Sequence, residues 1–67
     1  MIEMSMRILV IPYEDTITVE TKIMVGGRVH TIKRTEPIRL FKSAFDTVWE
    51  YTGRQISEYM KEQEGVR

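Results

Sequence analysis

Ten consecutive residues, Thr16 to Val25, alternate so strictly that they admit only one local structure. Ile17, Val19, Thr21, Ile23 and Val25 fall on one side of an extended chain, and Thr18, Glu20 and Lys22 on the other. A period of two in β-branched types is the signature of a strand with one face buried. Gly26-Gly27 follows directly. Two glycines accept positive φ at both central positions of a type I′ turn, so Arg28 to Thr35 is expected to return as the partner strand. A two-residue turn sets Val25 against Arg28, Ile23 against His30, Thr21 against Ile32 and Glu20 against Lys33. A three-residue loop would instead oppose Glu20 and Arg34, and the pattern alone leaves both registers open.

Upstream, Arg7-Ile-Leu-Val-Ile11 is a short apolar run stopped by Pro12, with turn chemistry in Tyr13-Glu14-Asp15, and is read as a buried strand. Met1, Met4 and Met6 are each candidate start residues, so residues 1–5 are expected to be disordered, as are residues 64–67. After Pro37 the period becomes helical. Ile38, Phe41, Phe45, Val48, Trp49, Thr52, Ile56, Tyr59, Met60 and Gln63 fall within roughly 120° at 100° per residue. The helix starts either near Glu36, capped by Thr35, or near Ser43 through a Ser43-x-x-Asp46 capping box, the later start being preferred. The apolar phase passes through Gly53 unbroken, which predicts one helix to about Gln63. The expected fold is therefore α+β: a three-stranded antiparallel sheet (β-β-β-α) with one C-terminal amphipathic helix, as a single domain over residues 1–67.

Stability is the difficulty for such a chain. Its 67 residues bury roughly 7,000 Å² on folding, about 60% apolar, worth ~100 kcal/mol, and ordering them costs again ~100 kcal/mol. Small domains close this gap with a disulfide, a metal or a partner. There is no cysteine and a single histidine, so neither a disulfide nor a Cys/His zinc site is expected, and no cofactor. Self-association, or association with another molecule, is the remaining route. The first strand, apolar on both sides, would lie at an exposed edge of a meander and invite another strand, which predicts a homodimer. The longest apolar run, Ile8 to Ile11, is too short for a membrane span, and a cytoplasmic location is expected, host cytoplasm if the gene is carried by a phage.

The neutral chain is unevenly charged. Residues 1–20 hold Arg7 against Glu3, Glu14, Asp15 and Glu20, and residues 43–67 hold three bases against five acids. Between them Lys22, Arg28, Lys33, Arg34, Arg39 and Lys42 face Glu36 alone, for +5. With His30, these six form the candidate basic contact surface for an acidic protein or nucleic acid; the alternative is a solvated sheet face. Nothing points to catalysis. His30 has no nucleophile beside it, Ser5, Ser43 and Ser57 lie in no nucleophile motif, and Gly26-Gly27 lacks the Lys and spacing of a phosphate loop. Trp49 with Phe41, Phe45 and Tyr59 forms an aromatic stripe, read first as core and second as interface; Tyr51 points away from it. Ile8, Val10, Trp49, Tyr51 and Tyr59 are the candidate interface anchors.

The stretch Trp49-Glu-Tyr-Thr-Gly-Arg-Gln-Ile-Ser-Glu-Tyr-Met-Lys-Glu62 resembles the junction between the two helices of ribbon-helix-helix repressors, where a Thr-Gly-Arg-type turn follows a short basic strand. The resemblance implies a dimer that places Arg28, His30 and Lys33, or their alternates on that strand, in the major groove. The long β segment before the strand, the delay imposed by Pro37 and the unbroken phase at Gly53 depart from that family. The preferred expectation is thus a small non-enzymatic protein of inhibitor or adaptor type, such as phages and mobile elements encode, acting by protein–protein association as a homodimer. A DNA-binding regulator is the alternative, and no small-molecule substrate or membrane contact is expected.

Overall fold

The structure, a computed structural model, describes residues 2–65, with side chains through residue 63. Expectations for Met1 and for residues 66–67 fall outside the described residues. Strand β1 (Ile2–Ile11), a 3₁₀ turn (Pro12–Glu14), β2 (Thr16–Val25), β3 (Arg28–Pro37), a second 3₁₀ turn (Ile38–Leu40) and helix α1 (Phe41–Gly65) follow in order. The sheet is an antiparallel meander, β1-β2-β3, and α1 lies along one face of it over β2 and β3. This is the β-β-β-α arrangement the pattern predicts.

Each strand is ten residues long, or about 33 Å, and a 25-residue helix is about 37 Å, so the helix fits by running along the strands. The alternating strand is the core strand. Ile17, Val19, Thr21, Ile23 and Val25 are all buried under α1, where Ile17 and Val19 pack with Ala44 and Val48, flanked by Ile32 and Ile38.

Gly26 and Gly27 take φ of +56° and +79°, and the ladder pairs Val25 with Arg28, Ile23 with His30 and Glu20 with Lys33. The two-residue register is therefore the one formed. A Cβ on Gly26 would sit 3.1 Å from the Tyr59 ring, whereas one on Gly27 meets nothing within 4 Å. Alanine at either position should cost about 1 kcal/mol for the left-handed backbone. Gly26→Ala should cost more than Gly27→Ala, because the Tyr59 ring must also move; urea midpoints of the two variants rank them.

Several expectations are corrected, among them disorder at residues 64–65, which continue α1. Residues 2–5 are not disordered but extend β1 to Ile2, since Ile2, Glu3, Met4 and Ser5 find ladder partners in Val25, Met24, Ile23 and Lys22. β1 is not a buried strand, because nothing among the described residues pairs with its outer edge and α1 stands over the other two strands. The helix starts at Phe41 behind the Ile38–Leu40 turn, which puts Ser43 inside it. Pro37, at φ −57° and ψ 148°, swings the chain out of the sheet, and the Ile38 N–H donates to the Asp15 carbonyl at 3.2 Å, pinning the helix entry to the β1–β2 corner. The helix runs through Gly53 without a break, so the two-helix junction implied by the ribbon-helix-helix resemblance is not formed.

Candidate protein-contact face

Residues directly opposite in an antiparallel ladder share a face, so the register sorts every strand residue. On the inner face, towards α1, lie Ile2, Met4, Met6, Ile8 and Val10 of β1, the buried row of β2, and Arg28, His30, Ile32, Arg34 and Glu36 of β3. The outer face carries Glu3, Ser5, Arg7 and Leu9 from β1, then Thr18, Glu20, Lys22 and Met24, then Val29, Thr31, Lys33 and Thr35. It is mostly polar, with Arg7, Glu20 and Lys33 alternating in sign across one row and Thr18 and Thr35 hydroxyls 2.9 Å apart.

The candidate basic residues therefore do not form one surface. Lys22 and Lys33 are exposed on the outer face, Arg28, His30 and Arg34 sit on the inner face beside the helix, and Arg39 and Lys42 lie at the helix entry. Arg34 is committed to Glu36, its Nε donating at 2.7 Å. A run of bases in sequence is dispersed because consecutive strand residues point to opposite faces. Arg28 and His30 do border a polar cleft of about 350 Å³ against α1, but Glu58 and Glu62 line it as well, so its charge is mixed.

The helix shows the larger departure. Its buried row is Ala44, Val48 and Thr52, and at 100° per residue the predicted apolar stripe is centred about 60° away from that row. Phe45, Trp49, Ile56 and Met60 lie on one flank, and Tyr51 and Glu58 on the other. Glu58 shares the cleft with Arg28 and His30 of β3, so the flank bearing Phe45 and Trp49 overhangs β1. Phe45 and Trp49 stack with ring centroids 6.4 Å apart and planes 16° from parallel. Trp49 is not core: it is 53% exposed, because the small residues of the contact row, not the aromatic ones, meet the sheet.

Below that flank the inner row of β1 is largely uncovered, with Met4, Ile8 and Val10 each more than two-fifths exposed and Ile2 and Met6 partly buried. Two apolar surfaces thus meet at an open corner, a sheet row without a helix over it and a helix flank without a sheet under it. Of the candidate anchors, the fold brings Ile8, Val10 and Trp49 to this corner. Tyr51 is on the far flank with the Arg54 guanidinium 5.6 Å from its ring, and Tyr59 is half-buried against the hairpin turn. Met4 and Phe45 belong to the face and were not among the anchors. The signal for Met4 was its parity with Ile8 and Val10.

Comparison with protein-family models, with curated proteins and with solved structures finds no match. Among the described residues no helix is long and apolar enough to cross a membrane, and no three His, Cys, Asp or Glu side chains cluster as metal ligands do.

Proposed function

We propose that this is a non-catalytic protein-binding module that acts through the apolar corner between β1 and α1 and works in association with a second copy of itself. A single observation carries the reading: the aromatic flank of α1 and the inner row of β1 are both apolar, adjacent and uncovered. Exposed apolar side chains gathered at one corner, beside a mostly polar outer sheet face, mark a contact surface. Trp49 and Phe45 supply rigid aromatic area of the kind that dominates interface energetics. The mixed charge elsewhere fits a solvated surface better than a nucleic-acid footprint, which needs its bases gathered on one face.

The test is affinity capture from nuclease-treated host extract with three chains: wild type, Trp49→Ser and Lys33→Glu. Wild type and Lys33→Glu should retain the same polypeptide, which then rebinds as a purified pair, while Trp49→Ser loses it. Capture that survives Trp49→Ser but fails with Lys33→Glu, or that disappears on nuclease treatment, would transfer the function to the charged residues.

A further inference from the structure

The unpaired edge of β1 coincides with the uncovered apolar row. In a two-residue turn Val25 and Arg28 exchange both backbone hydrogen bonds, so the odd residues of β2 bond to β3 and the even ones to β1. Opposite them, Glu3, Ser5, Arg7, Leu9 and Ile11 are the β1 residues bonded to β2. The N–H and C=O groups of Ile2, Met4, Met6, Ile8 and Val10 consequently point out of the sheet edge. These are the five residues whose side chains form the inner row. Over ten residues the pairing with β2 is one-to-one without a bulge, and β1 contains no proline and no lysine. Of the usual devices that blunt an edge strand only charge is present, in Glu3 and Arg7, and both lie on the outer face away from the inner row.

Resting on the association proposed above, we infer that a second copy of this chain occupies this edge, with β1 pairing antiparallel to its counterpart across a two-fold axis at Met6. Faces are conserved in such a pair, so even residues must oppose even residues. Centring on Met6 opposes Ile2 with Val10 and Met4 with Ile8, which uses the whole inner row. It also sets Glu3 diagonal to Arg7 of the other copy, an attractive pair within reach on the outer face. Centring on Arg7 would place like charges directly opposite, and centring on Ser5 would leave Val10 unpaired.

The areas agree with one partner per chain. The surface of 5315 Å² exceeds by roughly 900 Å² the ~4,400 Å² expected of a compact 7.9 kDa monomer. A standard dimer interface removes about 800 Å² from each partner. The radius of gyration, 14.2 Å, is likewise above the ~11 Å expected for this length. In the resulting six-stranded sheet each helix stands over its own β2 and β3, so at ~4.8 Å per strand the two helix axes are about 19 Å apart. Phe45 and Trp49 of both copies then face each other over the paired β1 strands and line one apolar trough about a helix wide.

Because the chain has no cysteine, single cysteines report the geometry directly. Met6→Cys places two thiols across the axis at a Cα separation a disulfide can span, whereas Val10→Cys places them more than 20 Å apart. Mild oxidation should convert Met6→Cys to a covalent dimer at least tenfold faster than Val10→Cys. Light scattering of the wild type should give twice 7.9 kDa at high concentration, and Ile8→Lys should give the monomer mass. Leu9→Lys, on the outer face, should remain dimeric. A wild type that is monomeric at all concentrations overturns the inference, as does a dimer in which Val10→Cys crosslinks as fast as Met6→Cys. A monomeric wild type would also remove the self-association from the proposed function, a differently crosslinked dimer would remove only this geometry, and capture of a partner through Trp49 is read separately in the extract experiment.

Discussion

Ile23→Ala is expected to remove about 2–5 kcal/mol, a large share of the protein's stability, while Trp49→Ala removes about 1 kcal/mol or less. Ile23 is the largest side chain with no solvent exposure at all, and truncating such a residue costs about 2–5 kcal/mol through lost transfer energy and the cavity left behind. A chain of 67 residues has on the order of 3–10 kcal/mol in total at 0.05–0.15 kcal/mol per residue. The core cannot share that loss, because it is one sheet face under one helix and only eight residues are buried among those described. Trp49 reverses the usual ranking of side chains by size. With more than half of its surface in water and Phe45 as its stacking partner, its removal should cost about 1 kcal/mol or less in the monomer, in place of the 3–5 kcal/mol of a core aromatic. Urea denaturation at a chain concentration below the association range measures both. A Trp49→Ala variant that loses as much as Ile23→Ala would mean that the indole is packed on its own sheet, and the contact face proposed here would go with it.

The contrast between those two residues also separates what could be read in advance from what could not. The alternation of Ile17 to Val25 and the glycine pair after it carry their own geometry, since a period of two specifies a face and two positive-φ residues specify a turn. Strand, hairpin and buried row therefore follow from local chemistry. The rotation of α1 about its axis does not. An apolar stripe shows which side of a helix avoids water, and by itself it seats Trp49 and Phe45 on the sheet. A helix resting on a sheet is instead held by residues small enough to allow close approach, here Ala44, Val48 and Thr52, and the bulky row is left on the flank. Likewise an apolar run such as Ile8 to Ile11 looks the same whether a strand is central or at an edge, because apolar side chains serve burial within the chain and burial between chains equally. The basic segment misled for a geometric reason: Lys22, Arg28, Lys33 and Arg34 are near in sequence and on alternate faces in the sheet. In each case the missing information was which surface is covered by what, a property of the assembled fold.

The rotation of α1 has one identifiable polar determinant, and its removal is expected to be asymmetric. Thr21 of β2 and Thr52 of α1, both fully or almost fully buried, place their hydroxyl oxygens 2.9 Å apart. The Thr52 hydroxyl also lies 2.8 Å from the Val48 carbonyl and donates to it. Having one proton, Thr52 must then accept from Thr21, so the chain of bonds runs from Thr21 through Thr52 to Val48. Thr52→Val removes the acceptor and strands the Thr21 O–H in an apolar core, a loss of about 1–3 kcal/mol. Thr21→Val removes only a donor, leaves Thr52 bonded to Val48, and should lie within about 1 kcal/mol of wild type. The double variant replaces both by apolar groups of the same shape and should recover most of what Thr52→Val loses. Denaturation of the four proteins in a double-mutant cycle measures this, and equal costs for the two single variants would contradict the assigned direction. The double variant has a second consequence. With the hydroxyl pair gone, only shape holds Ala44, Val48 and Thr52 on the sheet, and a turn of about 60° would bring Phe45 and Trp49 onto the core. A blue shift of Trp49 emission in the double variant, absent in Thr21→Val alone, would identify this pair as what keeps the aromatic flank over β1 and outside the chain's own core.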